Sequence, residues 1–318
     1  MKTSRVLALL LFLGLAALAQ TPFEQEVWRL ANEARRAEGL SELAWDDAAY
    51  RAARGHALDM LERGYFDHVT PEGVGPAERM WAAGVLEVMV GENLAFFENL
   101  PAEEAAARVV EGWLDSPPHR ANLLNPEFTH VGIAFEQQGG RIAVVQNLLA
   151  RPFEVRYWAT PTRVRWGRLA FEGSSRAEVA FFVDGAFWQA YEPPRWRGAL
   201  ELRPGSEVVV ALREGGAYVY ACGLRPPQTG CDAKGLRWKA TYEEGLEPGV
   251  RLQLGLPPGD YVLAYGDPPR PFEEVYGSAV VELPSRWGLV WIGKRAKNAI
   301  KYTHRIPLTP DERPDVER

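Results

Sequence analysis

Apolar side chains recur at helical spacing in three segments of the N-terminal part of the chain. The first segment starts at Thr21, which forms a capping-box pattern with Glu24, and it stops before Gly39. Two further helices are predicted over residues 47–62 and about 102–114, because their apolar residues also repeat with a period of about 3.6. This patterning predicts amphipathic helices that pack against a shared core.

The period of the apolar pattern changes to two beyond these helices. Residues 130–136 and 141–148 alternate or run apolar, and Gln137-Gln138-Gly139-Gly140 supplies a turn between them. We therefore expect a hairpin. Helices followed by a hairpin predict a mixed α+β domain over residues 20–150.

From Val155 onward, short β-prone runs alternate with Pro/Gly turn signals. Asp184-Gly185 marks a hairpin, and Pro248-Gly249 is read as a turn between strands at 236–242 and 250–256. This rhythm predicts an all-β, sandwich-like domain over residues 151–306. The proline-rich, charged stretch at 307–318 is expected to be a flexible tail.

Residues 1–19 have the pattern of a signal peptide. Lys2 and Arg5 precede an apolar run that ends in the small-residue site Ala17-Leu18-Ala19. The run is shorter than the roughly 20 apolar residues that a spanning helix needs. We expect a secreted or periplasmic/extracytoplasmic protein with no transmembrane anchor after signal removal.

Composition narrows the classes of partner. The 318 residues include 36 Lys+Arg and 42 Asp+Glu, a formal charge of −6, which argues against nucleic-acid binding. An exported protein points instead to a cell-envelope component, lipid or glycan. Cys222 and Cys231 flank a loop rich in Pro and Gly, and in an oxidising compartment the pair predicts a disulfide bond.

Tryptophans concentrate in the second half of the chain. We expect them in the core of the β-rich domain rather than as an exposed platform for sugar rings. The residues concerned are Trp158, Trp166, Trp188, Trp196, Trp238, Trp287 and Trp291.

Histidines and one carboxylate carry the candidate chemistry. His68 lies in a loop set by Pro71 and Gly73, Glu92 interrupts an otherwise apolar segment, and His119 follows two prolines. His56 and His130 fall on packed patterns and are expected to be framework residues. The sequence contains neither a nucleophile elbow nor a His-Glu-x-x-His zinc motif.

Four fragments in order resemble the CAP superfamily, in particular the SCP domain of its bacterial secreted branch. They are Tyr65–Gly73, Gly91–Ala95, Trp113–Pro126 and Phe128–Ala134. The resemblance covers about residues 23–150, and the C-terminal domain is not recognised. It implies an α-β-α sandwich whose central cleft carries two His and two acidic residues, in some members with a divalent metal.

Carried over residue by residue, the resemblance assigns only half of that tetrad. The first His matches His68 and the first acidic residue matches Glu92. Ser116 stands at the position of the second acidic residue, and Glu127 stands at the position of the second His. His119, Asp115 or Glu127 could complete the cleft instead. Asn93 lies beside Glu92 and is a further candidate. A zinc, copper or magnesium ion could then be held by His68, Glu92 and His119.

Three functions follow as alternatives. The first is an extracytoplasmic binding module for a lipid, envelope glycan or protein partner, with the His68/Glu92 cleft as its polar centre. The second is an envelope hydrolase that uses a metal, or a general base drawn from His68, Glu92 and His119. The third is a structural or adhesion component attached through the β-rich domain.

Overall fold

The computed structural model describes residues 20–229, 236–297 and 299–308. These residues divide into two compact units, each with its own core. The first unit comprises the described residues up to 85 together with 90–149. The second comprises residues 86–89 and the described residues from 150 onward.

The first unit contains five helices and one four-stranded sheet among the described residues. Its helices are α1 (Pro22–Ala37), α2 (Asp47–Arg63), α3 (Pro76–Ala82), α4 (Ala102–Asp115) and α5 (Pro117–Leu123). Its strands are β1 (Ala44–Trp45), β2 (Val90–Glu98), β3 (His130–Gln138) and β4 (Arg141–Leu149). The strands lie in the order β1-β3-β4-β2.

The three long helices begin and end close to the predicted positions. The Thr21 hydroxyl accepts from the Glu24 backbone N–H, and the Glu24 carboxylate accepts from that of Thr21, so the capping box is complete. At the other end of α2, Gly64 adopts the left-handed conformation of a C-cap with φ 73°. The predicted hairpin is β3 and β4.

Helices cover both faces of the sheet, as the predicted α-β-α sandwich requires. On one face, α2 packs against the strands through a cluster that includes Tyr50, Ala57 and Val145. On the other, Phe23 of α1 contacts Phe135 of β3 with ring centroids 4.1 Å apart. Side chains alternate between these two layers along each strand.

Gly132 allows α2 to lie directly on β3. A Cβ at this position would be 2.0 Å from the backbone nitrogen of Tyr50. The Asn147 side chain, opposite Gly132, donates to the carbonyl of Ala49 at 3.2 Å. The same cross-strand row continues to Glu92, so helix α2 and the candidate carboxylate share one face of the sheet.

The second unit consists of three four-stranded sheets and is β-rich, as predicted. Their strand orders are β10-β9-β6-β7, β14-β11-β5-β8 and β13-β12-β15-β16. The strands are β5 (Arg156–Ser175), β6 (Val179–Val183), β7 (Ala186–Tyr191), β8 (Arg195–Leu202), β9 (Val208–Glu214), β10 (Ala217–Leu224), β11 (Leu236–Gly255), β12 (Asp260–Tyr265), β13 (Arg270–Tyr276), β14 (Ala279–Pro284), β15 (Leu289–Ala296) and β16 (Ala299–Pro307).

Aromatic side chains fill the core of this unit. Phe171 stacks on Phe181 with centroids 4.2 Å apart, and Tyr265 stacks on Trp287 at 3.7 Å. Most of the tryptophans are buried, as expected; Trp158 is exposed, and Trp238 is half-buried against the core.

The prediction of a turn at Pro248-Gly249 is wrong. Strand β11 runs through it, and all 20 of its residues pair with the 20 residues of β5. The pairing with β14 begins at Gly249, so Pro248 lies just beyond the end of the neighbouring strand, where the missing N–H is tolerated.

The expected tail also begins too early, because Pro307 belongs to β16 and Leu308 is buried. Residues 309–318 lie outside the described residues. So do residues 1–19 and Cys231, so the signal peptide and the disulfide with Cys222 stay predictions.

Candidate functional site

A small cavity of the first unit contains two of the predicted site residues. It has a volume of about 240 Å³ and is lined by Phe66, Asp67, His68, Leu94 and His119. The loop after α2 supplies the first three, strand β2 supplies Leu94, and helix α5 supplies His119. The cavity therefore joins three segments that are distant in sequence.

His68 and Glu92 meet as predicted from the resemblance. The His68 Nδ1–H donates to Glu92 Oε1 at 2.9 Å. The carboxylate side chain is only 1 % exposed, whereas the imidazole is 48 % exposed. This hydrogen bond to a carboxylate raises the pKa of His68 above its usual value, against the smaller opposing effect of burial.

Arg79, which was not predicted from the sequence, donates to the second carboxylate oxygen of Glu92. Its Nη2 donates to Glu92 Oε2 at 2.7 Å, and its Nη1 donates to the carbonyls of His68 and Val74 at 2.9 Å. The guanidinium thus fixes both the carboxylate and the loop that carries His68. The one local signal is that Gly75-Pro76 starts the short helix α3, on which Arg79 lies.

His119 and His56 have different environments from His68. Burial, and then the proximity of His68, lowers the pKa of His119, whose Nδ1 is buried without a hydrogen-bond partner among the described residues. His56 is fully buried, and its Nε2–H donates to the Asp67 carbonyl at 2.9 Å. Burial is also the main cause of the lowered pKa of His56. His56 therefore supports the loop from beneath.

Asn93 does not line the cavity, in contrast to our expectation. Its side chain is completely buried and donates to the His119 carbonyl at 3.1 Å and to Gln146 Oε1 at 2.9 Å. Asn122 donates to Asn93 Oδ1 at 3.0 Å. Strand alternation explains the difference, since Asn93 points away from the face that carries Glu92. Its role is to position the backbone at His119.

The other residues offered to complete the tetrad do not line the cavity either. Glu127 is exposed on the loop before β3, where its backbone N–H donates to Asn125 Oδ1 at 2.9 Å. Asp115 is exposed at the end of α4, and Ser116 lies at the junction with α5. Of the predicted set, the cavity brings together His68, His119 and, through its hydrogen bond to His68, Glu92.

These residues do not fit a divalent metal. Both carboxylate oxygens of Glu92 already accept from a cation or an imidazole, and a guanidinium lies beside them. Within the described ranges, no group of three His, Cys, Asp or Glu side chains has a spacing suited to a metal ion. A zinc site with three protein ligands would need Glu92 to leave Arg79.

The family model described as the Cysteine-rich secretory protein family, abbreviated CAP, matches residues 28–148. These residues form a CAP domain. The match ends where β4 ends and does not extend into the β-rich unit.

Related sequences cover the same domain. YkwD of Bacillus subtilis (strain 168), described as an uncharacterized protein, is 36 % identical over 117 residues, which are 37 % of this chain and 44 % of that protein. YlbC of the same strain, described as an uncharacterized membrane protein, is 36 % identical over 120 residues, or 37 % and 33 % of the two chains. The chain thus spans less than half the length of these relatives.

Solved structures are similar to a comparable share of the chain. An extracellular protein containing a SCP domain from Bacillus anthracis str. Ames is 30 % identical, with a TM-score of 0.36, and the match covers 42 % of this chain and 45 % of that one. An outer surface protein from Borrelia burgdorferi is 22 % identical, with a TM-score of 0.37 and coverage of 42 % and 96 %. In the described part of the chain, no helix is long and apolar enough to cross a bilayer.

Proposed function

We propose that this protein is an exported, extracytoplasmic binding protein whose CAP domain holds the polar head of an anionic envelope lipid. The observation that carries the proposal is the half-exposed His68 imidazole, which is backed by Glu92 and Arg79 and faces a small cavity that Phe66 and Leu94 also line. The signal-peptide pattern at residues 1–19 supports export.

The polar lining of the cavity consists of His68, His119 and the Asp67 carboxylate, whose Oδ1 accepts from the Val69 backbone N–H. Of these groups, His68 is the one that favours a hydrogen-bond acceptor or an anion. Because Nδ1 of His68 is fixed on Glu92, Nε2 is the ring atom left for a ligand. The raised pKa increases the fraction of imidazolium near neutral pH, in which Nε2–H donates a charge-assisted hydrogen bond. A phosphate or carboxylate head group would be the matching acceptor.

Phe66 and Leu94 of the cavity, together with apolar side chains exposed on the same loop as His68, favour an acyl chain attached to that head group. Phe66 is 50 % exposed, Val69 is 45 % exposed and Val74 is 37 % exposed, and all three lie on the loop that carries His68. Apolar side chains exposed together on one loop are a common mark of a lipid or protein interface. The cavity is smaller than the roughly 300–1,000 Å³ that encloses a whole drug-sized ligand, so it suits a head group better than a complete lipid.

Hydrolysis has weaker support from the same geometry. A general base must be neutral, and the hydrogen bond that His68 donates to Glu92 raises the pKa of His68 and favours its charged form. His119 has the lowered pKa that suits a base, but its Nδ1 has no orienting partner among the described residues.

Calorimetric titration with lauroyl lysophosphatidylglycerol, kept below its micelle concentration, tests the proposal. His68→Gln leaves the Glu92–Arg79 ion pair in place and is expected to weaken binding about tenfold, the loss of one charge-assisted hydrogen bond. Phe66→Ser is expected to weaken it as well. His130→Ala, a histidine substitution outside the cavity, is the matched control and should leave the affinity unchanged.

Equal affinities for the wild-type protein and both cavity variants would overturn the proposal, and so would the absence of binding to the wild type. The double variant His68→Ala/Glu92→Ala is less informative, because it leaves the guanidinium of Arg79 without its carboxylate.

A further inference from the structure

A second, larger depression lies on the β-rich unit. Its volume is about 710 Å³, and strands β5, β8 and β11 line it. The lining residues are Glu172, Gly173, Ser174, Arg195, Trp196, Arg197, Arg237, Trp238 and Lys239. The CAP domain contributes none of these, so this site is separate from the cavity at His68.

The strand register arranges the polar side chains in two rows. Ser174 pairs with Arg195 on one side and Arg237 on the other, and Glu172 pairs in the same way with Arg197 and Lys239. Residues two apart along a strand point to the same face, so the two rows share one face about 7 Å apart.

The middle row turns its side chains to the opposite face. It consists of Trp196, Gly173 and Trp238, and both tryptophan rings contact Phe181 of the core. A Cβ on Gly173 would lie 2.4 Å from the Trp196 ring, so the close packing of this ring requires glycine. Between the charged rows, the sheet therefore presents mainly backbone.

Within the described ranges, three of the four cations in these rows lack a hydrogen-bonded side-chain partner. The side chains of Arg195, Arg197 and Arg237 are exposed and, among the described residues, form neither a hydrogen bond nor a salt bridge, and Arg197 acts on Glu172 only as a nearby charge that lowers the pKa of this carboxylate, after Lys239. Lys239 pairs with Glu172 at 2.6 Å. The face thus has a local excess of positive charge on a chain whose formal charge is −6.

We propose that this face of the β-rich unit binds an acidic polysaccharide. Exposed guanidinium groups in two rows match the repeated carboxylates of a uronic-acid polymer, because each guanidinium can donate two parallel hydrogen bonds to one carboxylate. The depression spans three adjacent strands, so a polymer chain could lie across them. The affinity is then the combined effect of several weak contacts made at the same time, as is usual for a polymer with repeated charges.

Other polyanions fit the same face less well. A nucleic acid would need a basic surface wider than this face. Four residues before Glu172 on β5, Arg168 is flanked by Glu201 on β8 and Glu243 on β11, so the positive charge does not continue along the sheet. An anionic bilayer would need exposed apolar side chains beside the cations, and the depression's two large apolar residues, Trp196 and Trp238, pack against the core.

Affinity electrophoresis and calorimetry of the full-length protein with alginate test the proposal. The triple variant Arg195→Ala/Arg197→Ala/Arg237→Ala should weaken alginate binding by at least about tenfold. Added salt should weaken the wild-type affinity far more than that of the variant. Neutral dextran should not bind.

A control variant with the same loss of charge is available in the same unit. Arg156→Ala/Arg165→Ala/Arg225→Ala removes three exposed arginines outside the depression and should bind alginate as the wild type does. An equal loss of alginate affinity in both triple variants would show that only the net charge of the protein matters, and it would contradict the proposal. Failure of the wild type to bind alginate, or preferential binding of polyphosphate or DNA, would contradict it too.

Glu172→Gln gives a test with the opposite sign. Glu172 is the one acidic side chain among the nine lining residues, and its removal frees Lys239. Alginate affinity should rise in this variant, whereas a decrease would show that the face does not bind alginate through its positive charge. His68→Gln should leave alginate binding unchanged, so the two proposals fail independently.

Discussion

At the scale of single residues, one carboxylate organises the candidate site. Glu92 is nearly fully buried, and it accepts from His68 through one oxygen and from Arg79 through the other. A buried carboxylate is tolerable only when paired in this way. The same pairing makes Glu92 an orienting group for His68 rather than a group that a ligand would reach.

Substitution of Glu92 by Gln should therefore cost stability. The variant keeps the side-chain volume but leaves Arg79, only 11 % exposed, without its counter-charge. We expect the free energy of unfolding to fall by roughly 3 kcal/mol, measured by urea denaturation. Glu136→Gln is the matched control, because its pair with Arg54 is more exposed and should be worth less than about 1 kcal/mol. Equal effects in the two variants would contradict this account of Glu92.

The sequence could suggest His68 and Glu92 but not Arg79. The first two lie in fragments that resemble a known family, whereas Arg79 lies on a seven-residue helix too short to display a period. Its partners lie on a loop and a strand that meet it only after folding. The burial of Asn93 was equally unpredictable from the sequence, because the face of the sheet to which a strand residue points depends on how the strand pairs with its neighbours.

At the scale of elements, the long helices were the most predictable feature. Helices α1, α2 and α4 combine a sustained apolar stripe with start or stop signals, so local sequence suffices. The turn predicted at Pro248-Gly249 failed for the converse reason. Pairing with β5 along 20 residues outweighs a two-residue turn signal, and this pairing is not local.

The contact between α2 and β3 gives a prediction at this scale. Gly132→Ala would place a Cβ 2.0 Å from backbone of α2, so the helix must move away from the sheet that carries Glu92. We expect a loss of about 2 kcal/mol or more in the free energy of unfolding.

Gly55→Ala, within α2 itself, is the matched control for this prediction. Its Cβ would meet nothing within 4 Å, so alanine should stabilise the helix by about 0.5–1 kcal/mol. Thermal denaturation followed by circular dichroism measures both variants. A neutral Gly132→Ala would mean that α2 does not rest on β3 as described.

At the scale of the whole molecule, the chain combines two units with different chemistry. The CAP domain has an imidazole in a small cavity, and the β-rich unit has exposed guanidinium groups on one face of a sheet. Both would select anionic groups, although the formal charge of the chain is negative. Composition alone therefore could not reveal either site, since both depend on where a few cations are placed.

The most direct test of the account is an NMR titration of the His68 imidazole with and without lauroyl lysophosphatidylglycerol. We predict a pKa above the ordinary value near 6.5 in the free protein, because Glu92 stabilises the imidazolium. The lipid should raise it further, and lipid affinity should accordingly fall as pH rises through this pKa. An ordinary pKa that the lipid leaves unmoved would contradict the account.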